Sequence, residues 1–290
     1  MIFNPQFSAL SAYSSIGLGD YHAMQWTLRK RFGNGLLFDF NYTWSKSIDL
    51  GSTSEAGISW NPTGGAGTSS FTGFIQNTWD PSQMRAVSSY DTTHAINGYG
   101  VYQLPFGRGM KFGTNMNRVL DAFFGGWQLS GTFRVTSGLP FSVGNGQRWP
   151  TNWEVSDIAT PNGTPIPSVV STGSSNLGGA PDLWQDPKAA FAAFSETMAG
   201  QSGSRNTLRG DGFFDIDSGV FKNFKITERA GLQFRWESYN LTNSVRFDPT
   251  CGASSYGTGC GNILASSSFG KLTTQLGTPR QMQFALRLSW

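Results

Sequence analysis

The chain has 290 residues, enough for one sizeable domain or two smaller ones. Charged residues make up 13%, about half the usual globular share, while aromatics reach 14% and glycine numbers 37. The low charge argues against an ordinary soluble globule and the aromatics against disorder. A net charge of +3 without a lysine-arginine cluster argues against a nucleic-acid partner, and no run of roughly 18 apolar residues is present to form a membrane helix.

Met1-Ile-Phe-Asn-Pro has neither a basic n-region nor an apolar h-region, so no secretory signal is read there. An exported protein would then need residues 1–290 to be the downstream part of a longer precursor; otherwise an exported location is the wrong reading. The first regular element runs from His22 to Lys30, with Met24, Trp26 and Leu28 on one parity and Gln25, Thr27 and Arg29 on the other. This period of two is that of a strand. Phe32-Gly33-Asn34-Gly35 predicts a tight hairpin, because Asn and Gly both tolerate positive φ. Leu36, Phe38, Phe40, Tyr42 and Trp44 then alternate with Leu37, Asp39, Asn41, Thr43 and Ser45.

The pattern lapses over 47–88, which is rich in Gly, Ser, Thr and Asn. A weaker strand is expected from about Tyr90 to Gln103, and a short helix near Asn117 to Phe124. Trp127 to Thr136 alternates again. Residues 138–210 read as a long irregular segment with one helix, Asp186 to Met198. Strands follow at Phe214 to Phe221 and Leu232 to Glu237, joined by a short link at 225–228. A loop over 243–279 precedes Arg280 to Trp290, where Met282, Phe284, Leu286, Leu288 and Trp290 are all apolar.

The fold class expected is therefore all-β: an antiparallel transmembrane β-barrel segment of about seven strands. Connections alternate short and long, as they do between a periplasmic rim of turns and an extracellular rim of loops. A soluble sandwich would share the alternation but not the loop lengths. Trp26, Trp44, Trp127, Trp236 and Trp290 on the apolar parity point to lipid contact and aromatic girdles.

Several segments resemble a known family. Tyr21 to Leu36, Asn41-Tyr-Thr-Trp-Ser-Lys-Ser-Ile-Asp49, Tyr102-Gln-Leu-Pro-Phe-Gly107, Gly126-Trp-Gln-Leu-Ser-Gly131, Ser137-Gly-Leu-Pro-Phe141, Arg205-Asn-Thr-Leu-Arg-Gly210, Phe221-Lys-Asn-Phe224, Leu232-Gln-Phe-Arg235, Asn240-Leu-Thr-Asn243 and Pro279 to Leu286 occur in the order seen in the carboxy-terminal barrel of TonB-dependent receptors. The likeness is to the type that carries a carboxypeptidase-regulatory-like domain. It implies a barrel of about 22 strands in the outer membrane, of which this chain supplies roughly the last third, without plug or TonB box. The partners implied are outer-membrane lipid, the missing N-terminal barrel and plug, the TonB complex reached through that missing region, and the barrel-assembly machinery. Phe284, Leu286, Leu288 and Trp290 form the expected C-terminal assembly signal.

No catalytic set stands out. Asp91 lies near His94, but Asp91-Thr-Thr-His94 reads better as a strand start. Asp215 and Asp217 share a polar parity and fit solvated lumen residues better than an acid-base pair. Arg29, Arg134, Arg235 and Arg287 share the polar parity of their strands, either lining an anion path or pairing with Asp39, Glu237 and plug carboxylates. The lumen-facing binding candidates are Arg29, Asp39, Arg134, Asp215, Asp217 and Arg235. Gly64-Gly-Ala-Gly67 lacks the strand-to-helix context of a phosphate loop. Cys251 and Cys260 allow a disulfide-closed loop in an oxidising compartment; His22 and His94, the only histidines, are too distant in sequence to favour a metal site. No cofactor is expected. Trp60, Trp149, Trp153 and Trp184 in the loops suit either solute stacking or loop packing. The function expected is uptake of a scarce solute (ferric chelate, oligosaccharide or peptide). The alternative is a surface adhesin or lectin-like protein that binds through its loops.

Overall fold

The computed structural model describes residues 14–32, 35–52, 75, 77, 79–148, 156–170, 180–198, 200–227, 229–250 and 261–290. Seven long strands form one antiparallel sheet in chain order: β1 Gly19–Phe32, β2 Leu36–Asp49, β3 His94–Gln103, β4 Trp127–Thr136, β5 Phe213–Lys225, β6 Gly231–Tyr239 and β7 Gln281–Ser289. Each pairs with its neighbours in sequence. A two-residue strand, Ala86–Val87, adds to the end of β2. A tilted strand needs about 9–11 residues to cross the hydrocarbon layer, and all seven reach that length.

Register carries the apolar parity unbroken from edge to edge. Trp26 faces Tyr42, which faces Ile96, which faces Val135, which faces Phe214. On the far side Val220 faces Trp236, which faces Phe284. Directly opposed residues share a face, so all these side chains project the same way. Charged residues and histidines on this face occur only towards strand ends: Asp20, His22, Lys46 and His94 near the long loops, Lys30 and Lys222 near the short turns. Among the described residues no second layer covers it, and Trp26 is 65%, Leu286 70% and Trp290 92% exposed. A sandwich would bury these groups.

Glycines shape the middle of the sheet. A Cβ on Gly98 would lie 2.7 Å from the Asp39 carbonyl oxygen and 2.7 Å from the Phe133 ring. Phe133 uses that space to lie across the strand towards Phe40, with ring centroids 6.3 Å apart.

The expected strands agree with those observed, with differences at the ends. β3 starts at His94 rather than Tyr90, because Tyr90 and Asp91 are taken into a turn closed by the Asp91 N–H on the Ser88 carbonyl, 2.9 Å. The first helix, α1 Arg118–Phe124, starts as predicted, with Asn117 Oδ1 capping the Leu120 N–H at 2.8 Å. The second, α2 Pro187–Ala192, is shorter than expected, because Phe194–Ser195 leaves it to pair with Thr160–Pro161. Trp127 opens its strand, whereas Trp26, Trp44 and Trp236 lie within theirs, so only part of the tryptophan set can form girdles. Gly33 and Asn34 of the predicted hairpin fall outside the described residues.

The segment 138–210 departs most from its expectation. Its described residues pack with 261–272 into a cluster at the long-loop rim, around Phe141, Val143, Leu183, Trp184, Phe269 and Leu272. Short strand pairs hold it, including Pro140–Phe141 with Leu208–Arg209. Trp184 is fully buried and stacks on Phe269 at 4.8 Å.

Candidate functional site

The face opposite the apolar one carries the sheet's hydrogen-bonding side chains. Arg29 Nε donates to Asp39 Oδ2 at 2.6 Å, Asn41 Nδ2 donates to Asp39 Oδ1 at 2.6 Å, and Thr27 Oγ1 donates to Asn41 Oδ1 at 2.9 Å. Arg134 is directly opposite Asp215 across the β4–β5 ladder. Its guanidinium stands 5.8 Å from the Phe213 ring, as does that of Arg246. Arg235 Nη2 pairs with Glu237 Oε1 at 2.9 Å and lies 5.0 Å from the Phe221 ring, and Gln283 donates to the other oxygen of Glu237. The face is thus a strip of cations, carboxylates and amides, partly neutralised by its own pairs. Such a strip suits a water-filled interior.

All six lumen candidates lie on this face, but their duties differ. Arg29, Asp39 and Arg235 are in ion pairs. Asp217 accepts the Asn240 N–H at 2.9 Å and so pins the exit of β6. Arg134 and Asp215 are in no ion pair among the described residues. Arg287 is on the same face of β7, opposite Gln233.

Asp91 and His94 are engaged separately. Asp91 is buried, accepts the Ser47 N–H at 2.6 Å and pairs with Arg209 at 2.5 Å. His94 Nδ1 is 2.9 Å from the Tyr42 hydroxyl on the apolar face.

Where loops meet strands, Arg205-Asn-Thr-Leu-Arg-Gly210 acts as a clasp. The buried Arg205 guanidinium pairs with Asp49 and donates to the carbonyls of Asp49 and Met84 at 3.0 and 2.9 Å and to Ser52 Oγ at 2.8 Å. Arg209 spans from Asp91 to the Gly138 carbonyl, 2.9 Å. Asn206, at φ 53°, donates to the Val87 carbonyl at 2.7 Å. Two arginines four positions apart were visible in the sequence. Their joint use could not be read there, because their carboxylate partners lie more than a hundred residues away.

Beside the clasp is a cleft of about 200 Å³ whose walls include Phe141, Asn206, Asp211, Arg246, Asp248 and Asn262. Burial pushes the Asp211 carboxyl above the ordinary aspartate range, opposed by the charge of Arg246 and the Phe247 N–H. Asn262 donates to the Ser142 carbonyl at 2.9 Å, while its buried Oδ1 has no protein donor. Of the loop tryptophans, Trp184 belongs to the loop core; Trp60, Trp149 and Trp153 lie outside the described residues, as do Cys251 and Cys260 and the Gly64 to Gly67 tract. No group of metal-ligating side chains occurs among the described residues.

Comparison with known proteins agrees with this geometry. The family model described as "Outer membrane beta barrel domain" matches residues 2–283. No curated protein and no solved structure matches the chain. An antiparallel sheet that is bare and apolar on one face and polar on the other, with long packed loops at one rim, has the sidedness of such a barrel's wall. The chain therefore belongs to the outer membrane β-barrel domain family, and its sheet forms barrel wall in the outer membrane.

Proposed function

We propose that this wall belongs to a TonB-dependent receptor that actively takes up a scarce solute. The observation that carries the reading is the two-sided sheet with unpaired outer edges on β1 and β7. Open edges in lipid leave backbone groups unsatisfied at a cost of several kcal/mol each. Further strands must complete the wall, and the lumen enclosed is then wide enough for a plug. The clasp motif, the Asn240–Asn243 turn and the other segments named above support the receptor type. The solute classes that fit are ferric chelates, oligosaccharides and peptides. We assign no catalytic step to the chain. TonB, a plug and the barrel-assembly machinery are the partners this reading requires.

The loop cluster has a hydrophobic core of its own, which favours a second reading, a surface adhesin or lectin-like binder. Deletion of the gene, followed by uptake assays with labelled members of the three solute classes, separates the two. The receptor reading expects loss of uptake of one class, and an equal loss in wild-type cells treated with a protonophore. Surface binding lost on deletion, with uptake of every class intact, would favour the adhesin.

A further inference from the structure

The connection between β3 and β4, residues 104–126, lies at the short-turn rim, and it does not turn inwards. It is fastened to the apolar face. Lys222 belongs to that face by register, opposite Trp127 and Phe234, yet it is 1% exposed because α1 covers it. Its ammonium donates to the Gly125 carbonyl and to the Asp121 carbonyl, at 3.4 Å for the latter, and lies 5.0 Å from the Trp127 ring. A cation at the carbonyl end of a helix is favourably placed. Trp127 Nε1 adds a bond to the Phe123 carbonyl, 2.8 Å.

Held there, α1 turns its greasy residues away from the protein. Val119, Leu120, Phe123 and Phe124 are 65%, 46%, 68% and 60% exposed, and Phe106 and Phe112 of the preceding loop are exposed as well. The charged groups beside them are mostly basic: Arg108, Lys111 and Arg118 are exposed, while Asp121 is occupied by the Arg108 N–H at 2.7 Å. An apolar patch of this kind in water would be a liability. Continuous with a lipid-facing sheet and rimmed by cations, it has the composition of an interfacial anchor.

We infer that residues 104–126 form a membrane foot that lies in the headgroup layer of the periplasmic leaflet, with Phe123 and Phe124 among the acyl chains and Arg108, Lys111 and Arg118 on anionic phospholipid headgroups. Lys222 is the positioning residue that ties the foot to the wall. The inference goes beyond the proposed receptor role and rests only on the apolar face meeting lipid.

The test uses the full chain with Cys251→Ser and Cys260→Ser, carrying an environment-sensitive fluorophore at Phe123→Cys, Asn115→Cys or Leu286→Cys, in vesicles of phosphatidylethanolamine with or without phosphatidylglycerol. The expected result is a blue-shifted label at position 123, quenched by headgroup-level lipid nitroxides. At position 286 the label is quenched by acyl-chain nitroxides, and at position 115 by aqueous iodide. Replacing Arg108, Lys111 and Arg118 with Gln removes any strengthening by phosphatidylglycerol, and Lys222→Met shifts the signal at 123 but not at 286. A water-exposed label at 123 beside a lipid-quenched label at 286 overturns the foot. Water-exposed labels at both positions overturn it together with the membrane role of the sheet face.

Discussion

Arg205 concentrates more bonds than any other charged side chain described at the loop rim. It joins the end of β2 to the loop cluster through an ion pair with Asp49, two carbonyls and a hydroxyl, all out of solvent. Removing one partner of a buried pair costs about 3–5 kcal/mol, because the other charge is left without compensation. Arg205→Met is expected to release the loops to limited proteolysis while membrane-protected strand fragments persist; equal protease resistance of variant and wild type would count against the clasp. Asp211 acts with the opposite sign to a paired carboxylate. Burial raises its folded pKa, so its contribution to loop packing is fully present below the unfolded aspartate value and is lost as pH rises through the raised one. The prediction compares rates of loop cleavage at mildly acidic and neutral pH. Wild type gains protection on acidification, and Asp211→Asn loses that pH-dependent increment. Asn240 and Asn243, at φ 49° and 52°, show a third use of a single residue. The Asn240 side-chain oxygen accepts the Ser244 N–H within its own turn, while that of Asn243 accepts the Arg280 N–H, 37 residues on, and ties the turn to the start of β7.

At the level of elements, the last strand tests the facing of the sheet. Leu286 is opposite Phe234 on the apolar face, and Gln283, of the other parity, is opposite Glu237 on the polar one. A lysine on the lipid side near mid-membrane costs about 2–4 kcal/mol, whereas a lumen position tolerates it. Leu286→Lys is therefore expected to lower the denaturant midpoint of the vesicle-inserted protein well below that of Gln283→Lys. Equal midpoints would place both side chains in similar solvent. The β5–β6 link shows how little chain a short rim needs: the N–H groups of Ile226 and Thr227 each reach the Ala230 carbonyl at 3.0 Å, closing the turn within the hairpin.

For the whole molecule, the decisive feature is the outer edge at each side of the sheet, unpaired among the described residues. Hydrogen exchange on the membrane-inserted chain alone should be fast along the outer edges of β1 and β7 and slow in β3, β4 and β5, which are paired on both sides. On the proposed reading, supplying the further strands of the wall protects both edges together. Uniform protection in the chain by itself would mean that it closes without help, and the inference of a larger wall would be wrong.

The sequence by itself determined the seven strands, their order, the facing of each side chain and the membrane class. It could do so because a strand's period is two and each strand pairs with the next, so parity in one dimension becomes a face in three. Arg29, Asp39, Arg134, Asp215, Asp217 and Arg235 were placed on the polar side for the same reason. Tertiary structure alone decided which of them are spent on one another, that Asp217 holds a turn, and that the described residues of 138–210 fold into a packed cluster rather than an irregular loop. It also decided that Lys222, polar by composition yet on the greasy parity, is covered by α1. Those outcomes depend on contacts between residues tens to more than a hundred positions apart, without a period, and a pattern read along the chain carries no record of them.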